Sequence, residues 1–193
     1  MTGFDHFDFL APYYERLFHA APAREFLDLV SPENANLLLD VAGGTGRVAQ
    51  VLSAAGACVV IQDISYKMLL QSAQKDGLIP AQSRAELLPF KDGTFPRIVM
   101  VDAFHHVHDQ SATARELYRA LTPGGRLVVE EPDIRTFYVK LIALGEKLLL
   151  MRSHFLRDEQ IAAMFHQLGA KVSIYHMDHT VWVVVEKPSV VKN

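Results

Sequence analysis

Asp102, His105, His106 and His108 fall within one short stretch, and histidine changes charge near neutrality, so this stretch can move protons. His105 and His106 are the candidate general bases of the chain. The competing reading is that they pack or cap locally. Adjacent histidines on one turn do not converge on a point, and no carboxylate or cysteine set accompanies them, so no metal site is expected.

A second group is Asp40-Val41-Ala42-Gly43-Gly44-Thr45-Gly46. Glycines in a turn of this kind let a ligand approach the backbone where a side chain would stand in the way. Gly44 to Ala49 also fits the G-x-G-x-x-A dinucleotide fingerprint, and a tight turn without a ligand is the bland alternative. Asp63 lies about 20 residues further on, where a ribose-binding acid is expected. Its carboxylate can accept two charge-assisted hydrogen bonds from ribose hydroxyls, or it can cap the helix that begins near Ser65.

Those residues need a scaffold, and short apolar runs alternating with amphipathic stretches supply one. Strands are expected at 37–41, 59–62, 97–101, 126–130, 171–175 and 180–186. Helices are expected at 47–55, from the Ser65 cap to Gly77, at 111–121, 134–151 and 158–168. The run at 37–41 is apolar almost throughout, as in a parallel strand covered on both faces. The short connection between the last two strands favours antiparallel pairing. The expected fold is α/β, Rossmann-like and doubly wound: a mostly parallel seven-stranded sheet with one antiparallel strand near the edge. Residues 1–193 read as one domain, with 1–30 as an N-terminal lid and helix and 133–156 as a substrate-cover insertion.

Nineteen Lys and Arg against 22 Asp and Glu give a formal charge of −3, so nothing points to a nucleic-acid partner. The single cysteine, Cys58, opens an apolar run and reads as a small core residue. The N-terminal residues show no basic segment followed by an apolar stretch, and no apolar run is long enough to span a bilayer. Cytoplasmic residence without membrane insertion is the expectation.

Four motifs carry a resemblance to the class I S-adenosylmethionine-dependent methyltransferases of the type 11 branch, and to the ubiquinone and menaquinone C-methyltransferases: Leu39 to Gly46, Ala85 to Phe90 with Phe95, Ala103 to Val107, and Leu121 to Leu127. The segment Phe7 to Tyr14 is similar to the family's lid. The resemblance implies S-adenosylmethionine as cofactor. It places Asp40 and the backbone of Ala42, Gly43, Gly44 and Gly46 at the methionine end, and Asp63 at the ribose. Ile64 and Met68 would lie on the adenine face, and Ala85 and Glu86 at the adenine edge. Asp102 and Ala103 would lie beside the sulfonium, and Tyr14 in the lid. Arg84 stands where the family usually has an aspartate.

The expected activity is methyl transfer to a small acceptor. The apolar side chains of residues 134–155 suggest a lipophilic or aromatic one, with a core- or dimer-facing helix as the alternative, so a homodimer stays open. The rival readings are a non-catalytic cofactor-binding subunit and an NAD-dependent oxidoreductase. The latter shares the glycine turn but not the other motifs.

Overall fold

The computed structural model describes residues 23–136 and 154–189. The chain order is α1 (Arg24–Val30), β1 (Leu37–Val41), α2 (Arg47–Ala54), β2 (Cys58–Asp63), α3 (Tyr66–Ser72), β3 (Leu78–Gln82), β4 (Phe95–Val101), α4 (Gln110–Ala120), β5 (Leu121–Pro132), α5 (Asp158–Gln167), β6 (Lys171–Met177) and β7 (Thr180–Glu186). Two 3-10 turns accompany them, Pro32–Asn34 before β1 and Phe104–His106 after β4.

The seven strands pair in the order β3-β2-β1-β4-β5-β7-β6. Strands β1 to β5 pair in parallel, whereas β7 runs antiparallel to both of its neighbours. One reversed strand therefore lies one place in from the edge, as the short Met177–Thr180 connection requires. The chain moves outward from β1 through β2 to β3 and then returns to β4 on the other side of β1. This reversal opens a crevice at the carboxyl ends of β1 and β4, where ligands of open α/β sheets bind.

Alternation along the strands sends side chains to two cores. Leu38, Val59, Ile61, Val99, Val128 and Trp182 pack with Phe26, Leu52 and Leu69 of α1, α2 and α3. Leu39, Ile98, Met100, Leu127 and Val129 pack on the other face with Leu117 of α4 and Phe165 of α5. Both faces of the central strands are thus covered by helices, which explains their unbroken apolar sequence.

Several elements differ from expectation. Strand β3 spans Leu-Ile-Pro-Ala-Gln, and the internal Pro80 argues against a strand unless it sits at a sheet edge, which is where β3 lies. Helix α3 ends at Ser72, before Gly77. Ser65 is the cap of α3, its Oγ accepting from the Met68 N–H at 3.2 Å. Strand β5 begins at Leu121, so Thr122-Pro123-Gly124-Gly125 lies within an irregular strand start and not in a turn before it. Cys58 is exposed, because it is the first residue of β2 and precedes the covered part of the strand. Residues 134–136 form a turn, with the Thr136 N–H donating to the Asp133 carbonyl at 2.9 Å, so no helix begins at Ile134. The remainder of the expected cover helix and the expected lid, including Tyr14, lie outside the described residues.

Candidate functional site at the carboxyl edge of the sheet

The turn after β1 is shaped by backbone conformation. Ala42, Gly44 and Gly46 have φ of 55°, 59° and 82°, the left-handed region that costs an L residue roughly 1–2 kcal/mol. Alanine at position 42 carries that cost. A Cβ on Gly43 would stand 2.7 Å from both Cγ and Oδ2 of Asp40, so no side chain fits there. The turn is tied to the end of β2: the Gly44 N–H donates to Asp63 Oδ2 at 2.9 Å and the Ala42 N–H to Gln62 Oε1 at 3.3 Å. Asp63 Oδ1 accepts from the Ser65 N–H at 2.7 Å. Asp63 therefore staples the turn and opens α3 at the same time.

Asp40 is 1% exposed, and its Oδ2 has no hydrogen-bond partner among the described residues. Burial, reinforced by the negative charge of Asp63 and opposed by Arg47, raises its pKa to about 7. A buried acceptor left unmatched by the protein is a place for a ligand's donor. The glycine cradle, the orphaned oxygen of Asp40 and the carboxylate of Asp63 fit a ligand that carries an ammonium group and hydroxyls. Binding of an ammonium here would favour the ionised acid and expel its proton. Titration calorimetry with S-adenosylhomocysteine at pH 6, in buffers of different ionisation heat, should therefore show release of about one proton, declining as pH rises through about 7 and the acid ionises unaided. Absence of proton release at pH 6 would separate Asp40 from the ligand. In the unliganded protein the sign is that of a raised acid: its stabilising contribution is complete below the ordinary carboxylate range and is lost as pH rises through about 7.

The remaining expected ligand contacts surround this turn unevenly. Met68 is 2% exposed and its sulfur lies 3.9 Å from where a Gly44 Cβ would be, whereas Ile64 is 57% exposed. Ala85 is buried. Glu86 turns away to bond the backbone: its Oε1 accepts from the His108 and Asp109 N–H groups at 2.9 and 3.2 Å, and Oε2 from Arg84 at 3.3 Å. Burial pushes the Glu86 pKa upward, but these bonds outweigh it and hold it below the ordinary value. Asp102 is exposed with φ of 50°, and Ala103 is buried beside it.

The two histidines differ sharply. His105 is 3% exposed and its Nδ1 lies 2.6 Å from Glu131 Oε2. His106 is pressed against it with ring centroids 4.0 Å apart. Burial, and then the neighbouring His105, lower the His106 pKa to about 3, so His106 is neutral throughout the physiological range. His108 is exposed.

Glu131 was not among the residues expected from sequence, although a signal exists. Glu130 and Glu131 follow one another at the end of an apolar strand covered on both faces, so one carboxylate must enter each face. Glu130 bonds Trp182 Nε1 at 2.6 Å on the opposite face from Glu131. Burial raises its pKa to about 7 against the pull of that bond.

Comparison with known proteins agrees with this geometry. Residues 39–129 match a family model described as a methyltransferase domain. Demethylmenaquinone methyltransferase of Mycolicibacterium vanbaalenii is 40% identical over 131 residues, covering 67% of this chain and 54% of that protein. A ubiquinone/menaquinone biosynthesis C-methyltransferase of Xylella fastidiosa is 34% identical over 125 residues, covering 58% of this chain and 49% of its own length. The chain thus spans about half the length of these curated relatives. Among solved structures, the methyltransferase chain in complex with a methyltransferase activator of Haloferax volcanii superposes with a TM-score of 0.83 at 17% identity, covering 97% of this chain and 100% of that one. A SAM-dependent methyltransferase structure from Thermotoga maritima gives 0.77 at 22% identity, covering 94% and 98%. These structures share the fold. With the matched model and the relatives together, residues 39–129, which include the glycine turn, form a methyltransferase domain.

Proposed function

We propose that this protein methylates a small lipophilic or aromatic acceptor, a quinol or related phenol, and that His105 is the base. Bound S-adenosylmethionine supplies an already activated methyl group, so the protein's task is alignment, exclusion of water and, for a phenolic acceptor, removal of a proton. The observation that carries the acceptor class is the 40% identity with a demethylmenaquinone methyltransferase. Its name specifies a quinone, and transfer to an aromatic ring or its oxygen is aided when a hydroxyl proton has gone. In this reading Asp40 and the backbone of Ala42, Gly43, Gly44 and Gly46 hold the methionine end, and Asp63 the ribose. Met68 and the exposed Ile64 cover the adenine, Ala85 and Glu86 line its edge, and Asp102 and Ala103 border the reacting centre.

His105 is preferred over His106 on chemical grounds. A base works best with a pKa near the operating pH, and His106, at about 3, is a weak one.

The test has two parts. S-adenosylhomocysteine should bind and raise Tm, whereas nicotinamide dinucleotides should not. Methyl-labelled cofactor should then label quinols or phenols in preference to amines and thiols. Label on amines alone would overturn the acceptor class and leave the cofactor standing.

A further inference from the structure

Glu131 stands at the carboxyl end of β5, 4% exposed, on the face that α4 and α5 cover. Its Oε1 accepts from the Ala103 and Phe104 N–H groups at 3.1 and 2.8 Å, and Oε2 lies 2.6 Å from His105 Nδ1. An ionised carboxylate only accepts hydrogen bonds, so Nδ1 must carry the proton in this pair and the lone pair of the neutral ring lies on Nε2. The ring plane is fixed as well. Phe155 stacks on it with centroids 4.2 Å apart and planes 15° apart, and His106 lies against it at 46°. The main chain is held too, since the His105 carbonyl accepts from the His154 N–H at 2.7 Å.

We propose that Glu131 is a positioning residue for methyl transfer, holding His105 in the tautomer whose Nε2 takes the acceptor's proton. This rests on the reading of His105 as the base. In the step, the acceptor's hydroxyl proton passes to Nε2. The electron pair released on the acceptor forms the new bond to the methyl carbon, and the pair of the broken carbon–sulfur bond goes to sulfur as a neutral thioether. The imidazolium so formed stays paired with the ionised Glu131, and its proton leaves to solvent afterwards. The same carboxylate anchors the backbone of Ala103 and Phe104, so the turn that bears His105 and the ring itself are referenced to one group on β5.

Glu131→Gln separates the carboxylate's charge from its shape. The amide oxygen would keep the two backbone N–H donors, which turns its NH2 toward His105. Nδ1 must then accept, and the ring proton moves to Nε2, where the base is needed. Nitrogen NMR of His105 in the parent protein with S-adenosylhomocysteine bound should show Nδ1–H, and in Glu131→Gln it should show Nε2–H. With the quinol or phenol labelled in the panel above, kcat of Glu131→Gln should fall by about 10²- to 10⁴-fold, with cofactor affinity within about threefold. Glu131→Asp, which keeps the charge, should recover part of that loss. Nε2–H in the parent would overturn the proposal without any variant. Full kcat in Glu131→Gln, with kcat lost in His105→Gln, would overturn the proposal alone. Full kcat in His105→Gln would remove the base and the proposal together.

Discussion

Replacing His105 with glutamine is expected to lower kcat by about 10²- to 10⁴-fold while leaving S-adenosylhomocysteine affinity within about threefold. Glutamine suits the test because its amide N–H can still donate to Glu131, whose Oε2 lies 2.6 Å from His105 Nδ1. The buried carboxylate is then not stranded, and loss of activity reports on the base more than on folding. His106→Ala is the contrast. A ring neutral down to about pH 3 has little basicity to lose, and its removal chiefly takes away a tilted neighbour of His105. Its kcat should fall by less than about tenfold. A large loss in His106→Ala with full activity in His105→Gln would transfer the role to the more exposed ring.

The residues that were legible in sequence are those whose role follows from chain-local chemistry. The run Leu37–Val41 ending in glycines, the Ser65 cap and the reversal at β7 each depend on a few neighbouring residues. Asp63 was legible as an acid at the end of β2 but only half understood. Its type and place favour a ribose role with a cap as a compatible second one, and its two oxygens bond both the glycine turn and the start of α3. Glu86 illustrates the limit. Its motif marks the segment, yet where its carboxylate points depends on the His108 and Asp109 backbone, 22 and 23 residues away, and no local pattern encodes that. Glu131 and His105 are 26 residues apart, and only the parallel pairing of β4 with β5 brings them together. Strand β3 is absent from the expected elements; a proline such as Pro80 is excluded from a central strand, and the edge position that admits it is a property of the whole sheet.

Asp63→Ala is expected to weaken S-adenosylhomocysteine binding by about 10- to 100-fold and to destabilise the protein by about 2–5 kcal/mol as well. The first effect follows if the carboxylate takes the ribose hydroxyls as charge-assisted acceptors. The second follows from what it already holds. Asp63 is 8% exposed, and removing it strands the Gly44 and Ser65 N–H donors, bonded at 2.9 and 2.7 Å, at the turn and at the first residue before α3. A third consequence separates this carboxylate from an inert staple. Asp63 is the second cause, after burial, of the raised Asp40 pKa, so its loss should bring the Asp40 pKa down from about 7. Proton release on binding at pH 6 should then shrink, because Asp40 is already partly ionised before the ligand arrives. Urea unfolding and calorimetry on the same variant read all three effects. Reduced stability with unchanged affinity would leave Asp63 as a fastener of the glycine turn and take the ribose role from it. Reduced affinity with undiminished proton release would mean that the charge of Asp63 does not reach Asp40.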